Sequence, residues 1–314
     1  MTTQKTTPNL LKRKADRIDE LSESGGNSLA VDAMKRMSRS PVAITGAVIT
    51  VLFVLLAILS PFLAPKNPYI PYDELRNTLR PDSIPGPMPG FLLGSDQNGY
   101  DFFSRLLVGS QQTLIVGVAA TLIGVLLGMI IGGFAGAFGG WVDTLLMRFT
   151  DILLAIPSLL LAISIAALFL HGTQWTVIIA VAVVSVPVFA RLLRGAMLAQ
   201  RASDHVLAAT ALGVRRRTIV FRHMLPNSLG PVIVQATLTL ATSIIDAAAL
   251  SFLGLGDSDP SRAEWGLMLG KSQSFLDVKP ELAFYPAIAI IVVALGFTLL
   301  GESLREALDP KNRR

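Results

Sequence analysis

The sequence predicts an all-α, polytopic membrane protein with six transmembrane helices and with both termini in the cytoplasm. Hydrophobic residues make up 52% of its 314 residues and charged residues only 16%, a composition that suits a membrane protein better than a soluble one. The hydrophobic residues are also gathered into runs of about 20, the length that a helix needs to cross a bilayer. A single soluble core is therefore a poor alternative.

Six apolar runs meet this length criterion, and polar stretches separate them. The first run begins too late, and is too long, for the apolar region of a cleaved signal peptide, so we interpret it as a retained anchor. The predicted spans are, in order, 42–63, 114–138, 146–170, 175–193, 229–250 and 283–300.

The basic residues predict the orientation of these spans. Of the 27 lysines and arginines, 20 belong to the N-terminal segment, the second-to-third and fourth-to-fifth connections and the C-terminal segment. The three connections on the opposite side carry the other 7. Because cytoplasmic loops carry the excess of positive charge, both termini are predicted inside. The positive net charge is thus a topological signal, and we expect no nucleic-acid partner.

We divide the chain into four parts on this basis. Residues 1–40 form a polar cytoplasmic tail, and 41–110 hold the first transmembrane helix and an external segment. That segment is rich in proline at first and turns helical from Asp101 to about Leu107. Residues 111–306 form a five-helix core with a cytoplasmic loop at 199–227, and 307–314 form a C-terminal cytoplasmic tail.

Glycines recur at every fourth position of the second predicted span. Glycines on one face let two helix backbones approach closely in lipid, and each also weakens the helix relative to alanine. The pattern predicts a helix-packing face, and a gliding or hinging face in a moving transporter is the more specific interpretation. The residues are Gly124, Gly128, Gly132 and Gly136.

Trp141, Trp175 and Trp265 fall at the ends of predicted spans. Indole rings are enriched at the level of the lipid headgroups. We therefore expect all three to anchor helix ends at the membrane surface.

The fifth predicted span carries most of the polar atoms within the membrane. Asp246 is its single charged residue and lies near the outer end, while Gln235 and Thr239 lie further in. Intramembrane ionisable groups often mark a transport pathway, whereas polar side chains also bond across helix interfaces. These three residues are candidates for lining the pathway, and a hydrogen-bonded interfacial role for Asp246 is the alternative.

Catalytic and metal chemistry have no candidate residues in the sequence. Zero cysteines exclude disulfides and thiolate ligands, and the three histidines have no metal-ligand spacing. The stretch from Gly266 to Ser272 has one residue too few between its glycines for a phosphate-binding loop and is predicted outside the cell. We predict a protein that is not an enzyme by itself and that binds no metal or cofactor.

The fourth-to-fifth connection is a polar, basic insert with the signals of two short helices. Ser203 suits a helix N-cap, Ala208 and Ala209 favour helix, and Gly213 can supply the left-handed residue that ends it. A second short helix is predicted from about Arg215 until Pro226 terminates it. Small side chains on the first helix would let the backbone of another protein come close.

Four stretches resemble one family, the ABC-importer permeases of the dipeptide and oligopeptide type, specifically the "C"-type subunit. Residues 92–107, LLGSDQNGYDFFSRLL, precede the second span, and 143–160, DTLLMRFTDILLAIPSLL, enter the third. Residues 249–256, ALSFLGLG, are followed by Trp265-Gly266, and the basic insert supplies the paired alanines and glycine of the coupling loop. Leu207 departs from the pattern, since the family usually has glutamate there.

The resemblance implies a type I ABC importer permease fold in a bacterial inner (cytoplasmic) membrane. It implies four kinds of partner: a second permease, two cytoplasmic ATPases that hold ATP and magnesium, an external substrate-binding protein and the surrounding lipid. The loop at 199–227, called the coupling loop below, would contact an ATPase. Its implied contact residues are Ser203, Leu207, Ala208, Ala209, Leu212, Gly213 and Pro226.

The predicted function is that of a permease subunit that forms half of a pathway for short peptides in an ATP-driven importer. The same architecture could import nickel, glutathione or another small solute, because such permeases leave much selectivity to the binding protein. An ion-driven secondary transporter is a more distant alternative, since the spans carry little charge and show no inverted repeat. A membrane scaffold would have no need for a docking helix ended by glycine.

Overall fold

The computed structural model describes residues 34–80 and 83–308. Residues 1–33 of the predicted N-terminal tail and 309–314 of the C-terminal tail lie outside the described residues. Within the described ranges, three isolated β-bridges are the only extended pairings. The α-helices are, in chain order, α1 Pro41–Leu63, α2 Asp73–Arg76, α3 Phe102–Phe138, α4 Gly140–Ala155, α5 Ser158–Ala166, α6 Gln174–Arg201, α7 Asp204–Ala211, α8 Arg216–Thr218, α9 Leu225–Asn227, α10 Leu229–Phe252, α11 Trp265–Ser272 and α12 Glu281–Leu308.

The all-α, multi-span fold class is confirmed. Five described helices, α1, α3, α6, α10 and α12, are each long and apolar enough to cross a membrane. Helices α4 and α5 together make a sixth candidate span, although they are bent by 94° at the break between them. For the first, fourth, fifth and sixth predicted spans, at least one end lies within a few residues of the corresponding helix end.

The third predicted span, 146–170, is not one continuous helix. Helix α4 ends at Ala155 and α5 begins at Ser158, with Ile156 in an extended conformation (φ −91°, ψ 130°). Pro157 explains the break, because proline has no backbone N–H to donate and its ring disfavours the helical conformation of the residue before it. Hydropathy alone gives no sign of this bend.

Helix α3 is longer than its apolar run. It begins at Phe102 instead of 114 and continues for 37 residues, across the predicted boundary at 110/111. Asp101 caps it, because its carboxylate accepts a hydrogen bond from the Ser104 backbone N–H at 2.9 Å. A capped, partly polar first turn therefore extends the helix into the external layer.

The long helices pack around α3. Its most extensive contact runs along α6, while α10 lies between α3 and α12, and α1 covers the outer side of α3 and α12. The buried apolar side chains form three clusters, one beneath the external layer around Phe102, one around Val177 and one at the inner end around Leu193. The coupling loop sits on the inner cluster.

The structure contradicts the tryptophan prediction for one of the three residues, Trp265. Trp141 and Trp175 are exposed near the start of α4 and α6, whereas Trp265 is buried. The Trp265 indole N–H donates to the Leu106 carbonyl at 2.8 Å, and its ring lies 5.7 Å from that of Phe53. Because α11 folds back onto the helix bundle, Trp265 is a core residue and not a surface anchor.

Candidate functional site

The first helix of the coupling loop, α7, starts after Ser203 as the sequence indicates. Ser203 has the extended conformation of an N-cap (φ −77°, ψ 149°), but its hydroxyl makes no capping bond. The hydroxyl donates instead to the Gln200 carbonyl at 2.5 Å. Asp204 places a carboxylate in the first turn, where the helix dipole favours negative charge.

Gly213 ends this helix in the left-handed conformation, with φ +74°. The Gly213 N–H donates to Thr210 and the Val214 N–H reaches back to Ala209, at 3.0 and 3.1 Å. The second of these bonds spans six residues, from Ala209 to Val214, and is the six-to-one bond typical of a helix that ends in glycine. A Cβ at Gly213 would meet open space, so the backbone conformation, and not crowding within this chain, requires glycine.

The two faces of α7 have opposite environments. Val206 and Ala209 are buried against the helix bundle, so Ala209 does not face outward beside Ala208. Leu207 and Leu212 point away from the bundle and are 56% and 83% exposed. Of the implied contact residues, the helix therefore presents Leu207, Ala208 and Leu212 on its outer side.

The second part of the coupling loop departs from its prediction. Residues Ile219–Met224 form a π-helix between α8 and α9, and the Leu225 N–H bonds to Val220 five residues back. Pro226 does not terminate the helical segment, since it lies in the first turn of α9. Proline is tolerated in a first turn because its missing N–H has no intrahelical partner there.

Phe221 is a surface feature that the sequence reasoning missed. It lies on the π-helix and is 68% exposed, so it joins Leu207 and Leu212 as an exposed apolar side chain of the coupling loop. The only signal in the sequence was one phenylalanine within a run of arginines. The neighbours Ile219 and Met224 turn inward and join the inner cluster.

Two of the three histidines meet in the coupling loop. The rings of His205 and His223 are 6.5 Å apart between centroids, and Asn227 donates to the His223 carbonyl at 2.8 Å. Nothing in the sequence predicts this pairing, because 17 other residues separate the two histidines along the chain. Within the described ranges, no group of three or more metal-ligating side chains accompanies them.

Two ion pairs join α4 to the inner half of α6. Arg194 binds both carboxylate oxygens of Asp143, and the Arg191 guanidinium lies 2.5 Å from the Asp151 carboxylate. Both aspartates belong to the stretch 143–160 that carries the family resemblance. A bidentate arginine–carboxylate pair fixes orientation as well as distance, so α4 is held to the helix that leads into the coupling loop.

The predicted glycine face of α3 lies along α6. A Cβ at Gly124 would overlap the Ser185 side chain, and one at Gly132 would overlap the Ala190 backbone carbonyl. A Cβ at Gly128 would come within 2.5 Å of Phe189, and one at Gly136 within 2.9 Å of Met197. The four glycines thus occupy the places where α3 and α6 approach most closely.

The three candidate pathway residues do not form one cluster. Gln235 donates to the Thr239 hydroxyl at 3.2 Å within α10, and Asp246 is half-buried two turns further out. A second polar contact joins helices, since the Thr121 and Ser243 hydroxyls are 3.2 Å apart and buried. Part of the polar content of α10 therefore serves packing against α3.

Buried cations organise the external layer around α11. Arg105 lies beside Asp96 and donates to carbonyls of the loop that precedes α11, including Arg262 at 2.7 Å. Lys279 donates to three carbonyls of the proline-rich segment, with Pro85 at 2.6 Å. Burial raises the pKa of Asp96, an effect that the Arg105 charge opposes.

Glu264 is a further acidic group of this layer. Its carboxylate accepts hydrogen bonds from the Ser251 hydroxyl at 2.8 and 3.0 Å. Desolvation raises the pKa of Glu264 to about 7, while the Ser251 bond works in the opposite direction. Sequence reasoning missed Arg105, Lys279 and Glu264 as partners, because their contacts come from distant parts of the chain.

Two family models match this chain. The one described as "Binding-protein-dependent transport system inner membrane component" matches residues 124–314, and the one described as "N-terminal TM domain of oligopeptide transport permease C" matches 28–81. The chain belongs to the binding-protein-dependent transport system inner membrane component family, and it is a multi-pass ABC-transporter permease of the peptide type. The family prediction made from the sequence is confirmed.

Characterised relatives cover nearly the whole chain. The dipeptide transport system permease protein DppC of Alkalihalophilus pseudofirmus is 41% identical over 89% of each chain. The glutathione transport system permease protein GsiD of Shigella flexneri serotype 5b is 44% identical over 88% of this chain and 89% of its own.

Solved structures agree on the fold. The MetNI methionine ABC transporter in inward-facing conformations has a chain with a TM-score of 0.53 at 18% identity, covering 65% of this chain and 96% of its own. An amino acid ABC transporter crystallised with histidines gives 0.51 at 18% identity, over 64% and 92%. At this identity the likeness establishes the fold alone, and the predicted type I ABC importer permease fold is confirmed.

Proposed function

We propose that this chain forms half of the translocation pathway of an ATP-driven importer for short peptides, and that its coupling loop docks on a separate cytoplasmic ATPase. The coupling loop has three exposed apolar side chains before and after the Gly213 turn, Leu207, Leu212 and Phe221, and they carry the proposal. Three large apolar side chains exposed on one short loop favour an interaction site. The opposite face of the same loop is buried in the inner cluster, so a force applied at that surface would reach the helices.

The working importer would contain a second permease subunit, two ATPase subunits and an external substrate-binding protein in a bacterial inner membrane. ATP and magnesium would bind to the ATPases and not to this chain. Closure of the ATPase pair would move the coupling loop and alternate the access of the shared pathway. Any such shift requires nucleotide to bind the two states with different affinity.

Helix α4 presents an apolar face away from the helix bundle. Its side chains Leu145, Phe149 and Ile152 are all exposed and apolar, whereas its two aspartates turn toward α6. This outer face would contact either lipid or the second permease.

Short peptides are the solute that the relatives favour. One relative is named for dipeptide transport and another for glutathione transport, and each covers almost nine-tenths of this chain. Glutathione is itself a small peptide derivative and is the second candidate. Nickel or another small solute would need a different binding protein on the same permease architecture.

Docking is tested with Leu212→Asp in the full complex. Leu212 is the most exposed of the three apolar side chains, and a charge there should remove the ATPase from the purified permease, because an unpaired carboxylate would be buried at the contact. Leu92→Asp, at an exposed leucine of the predicted external segment, is the matched control and should leave ATPase co-purification unchanged. Retention of the ATPase by Leu212→Asp would contradict docking at this surface.

The solute is tested by uptake into proteoliposomes that contain the complete complex and its binding protein. Labelled dipeptide, glutathione and nickel are offered in parallel, with and without ATP inside. We expect ATP-dependent uptake of the dipeptide. Uptake of nickel alone would overturn the peptide assignment, and equal uptake without ATP would overturn the ATP-driven mechanism.

A further inference from the structure

We propose that Arg216 is the positioning residue that makes the inner end of α3 follow the coupling loop. The proposal rests on the proposed docking of this loop. It adds a specific route by which movement of the loop would reach a helix of the pathway.

Arg216 binds the end of α3 directly. One of its terminal nitrogens donates to the carbonyls of Ala137 and Phe138, at 2.7 and 3.0 Å. These are the last carbonyls of the helix, which have no partner within it. A positive charge at this position also complements the helix dipole.

The contact includes the aromatic side chains at the same helix end. The guanidinium carbon lies 6.0 Å from the centre of the Phe138 ring. That ring stacks on Phe134 one turn earlier, with 5.8 Å between centroids and an angle of 8° between planes. The Arg216 side chain therefore contacts both the backbone and the ring surface of the last turn of α3.

Apart from the packing of α3 on α6 near Gly136, this helix end has few other constraints. Gly139 and Gly140 follow α3 with φ values of +66° and +61°, so the connection to α4 has no side chain to stiffen it. Ala137 touches the inner cluster at its edge, and backbone packing between α3 and the segment after Gly213 is sparse in the described part of the chain. Arg216 thus supplies the main polar link between these two elements.

The neighbouring arginines offer a matched comparison. Arg215 and Arg217 carry the same charge on the same turn, yet neither side chain has a hydrogen bond or ion pair within the described ranges. General attraction of basic side chains to the membrane surface would involve all three equally. A specific link to α3 would involve Arg216 alone.

Movement of the inner end of α3 would also move the external loop that is bound to its outer end. Helix α3 has 37 residues, which at 1.5 Å per residue makes a rod about 55 Å long. At its outer end Arg105 holds the loop before α11, and the Leu106 carbonyl accepts the Trp265 indole N–H. The coupling loop and the external loop are therefore attached to opposite ends of one helix.

The experiment compares Arg216→Ala, Arg215→Ala and Arg217→Ala in the assembled complex with its binding protein. We expect Arg216→Ala to keep ATPase co-purification and basal ATP hydrolysis but to lower peptide uptake about tenfold, as expected for the loss of two charge-assisted hydrogen bonds. The other two variants should stay within about twofold of wild type, since they remove charge without removing a bond. Arg216→Lys, which can still donate to carbonyls, should restore part of the uptake.

A distance measurement separates positioning from a general loss of structure. Because the chain has no cysteine, spin labels can be placed at Ile130→Cys and Thr218→Cys in a complex whose other subunits are cysteine-free. In the presence of Arg216 the distance between the labels should stay constant when ATP binds. In Arg216→Ala it should change, because the loop moves and α3 no longer follows.

The outcomes bear on the two proposals separately. Equal uptake by Arg216→Ala and Arg217→Ala, or a constant label distance in Arg216→Ala, would overturn the role of Arg216 and leave ATP-driven transport intact. Absence of ATP-dependent uptake in the wild-type complex would instead remove the proposed function on which this role rests.

Discussion

The Nε atom of Arg105 lies 3.4 Å from Oδ2 of Asp96, and both side chains are buried. Arg105 stands in the first turn of α3, whereas Asp96 belongs to the loop that leads into it. The same guanidinium also donates to the carbonyls of Pro260 and Arg262, at 3.0 and 2.7 Å. One side chain therefore joins the outer end of α3 to the loop before α11.

Arg105→Ala should lower the free energy of unfolding by about 3–5 kcal/mol, because it leaves the Asp96 carboxylate buried without its charge partner. Thermal denaturation of the purified protein in detergent measures this effect. Arg80→Ala, at an exposed arginine of the same external layer, should change the midpoint little. Similar midpoints for both variants would show that the buried pair does not organise this layer.

Glu264 should make stability depend on pH. Its pKa in the folded protein is raised from 4.5 to about 7, so the folded state holds a proton that the unfolded state has lost between these values. The stability from Glu264 is therefore complete below pH 4.5 and is lost as the pH rises through about 7, by at most about 3 kcal/mol. Denaturation of wild type and Glu264→Gln across this range should give curves that diverge as the pH rises.

Ser251→Ala gives a second test of the same dependence of stability on pH. The Ser251 hydroxyl bonds to the ionised carboxylate and lowers the pKa of Glu264. Its removal should move the loss of stability to higher pH. An unchanged profile in both variants would mean that Glu264 does not titrate in this environment.

Replacing glycine by alanine should have opposite effects on stability at two sites, Gly132 on the glycine face of α3 and Gly195 on α6. Gly132→Ala should destabilise the protein by about 1–3 kcal/mol, because a Cβ there overlaps the Ala190 backbone and overpacks the α3–α6 contact. Gly195→Ala, on α6, meets no atom within 4 Å and should stabilise the helix by up to about 1 kcal/mol. Thermal denaturation of both variants gives the comparison, and a neutral Gly132→Ala would place lipid against this face.

Gly213→Val should uncouple transport from ATP hydrolysis. A β-branched residue in the left-handed conformation is strained by about 1–2 kcal/mol or more, so the turn between α7 and α8 should change while the spans stay inserted. Gly213→Asn tolerates the same backbone and should restore stimulation of ATP hydrolysis by the loaded binding protein. Normal coupling in Gly213→Val would remove the role assigned to this turn.

The orientation of the spans is tested with single cysteines and an impermeant thiol reagent. Asn98 and Arg217 are both exposed, on what the charge distribution predicts to be opposite sides of the membrane. Asn98→Cys should be labelled in spheroplasts, and Arg217→Cys only after the membrane is opened. Labelling of Arg217→Cys in intact spheroplasts would reverse the predicted topology.

Some features of the coupling loop could be predicted because they depend on neighbouring residues. The N-cap position of Ser203 and the left-handed Gly213 follow from local conformational preference. The π-helix and the position of Pro226 in a first turn could not be predicted, since they depend on how the inner cluster seats Ile219 and Met224.

The bend at Pro157 could be predicted from the sequence only in part. The proline itself predicts a break, yet hydropathy treats the stretch 146–170 as one span because apart from Ser158 the residues around the break are apolar. Whether a proline kinks a helix or ends it depends on what can satisfy the freed backbone groups. The position of α4 is decided by its packing on α6, through Arg191 and Arg194.

The sequence by itself determined the class of protein and the number of apolar segments, because a segment that crosses lipid must satisfy its own backbone hydrogen bonds and its composition alone marks it. The tertiary structure decided which polar side chains meet. Arg105 and Arg262 are 157 residues apart, and Arg216 and Ala137 are 79 apart. No local preference encodes such a pairing, since it exists only when the helices have packed and left a buried donor beside a free carbonyl.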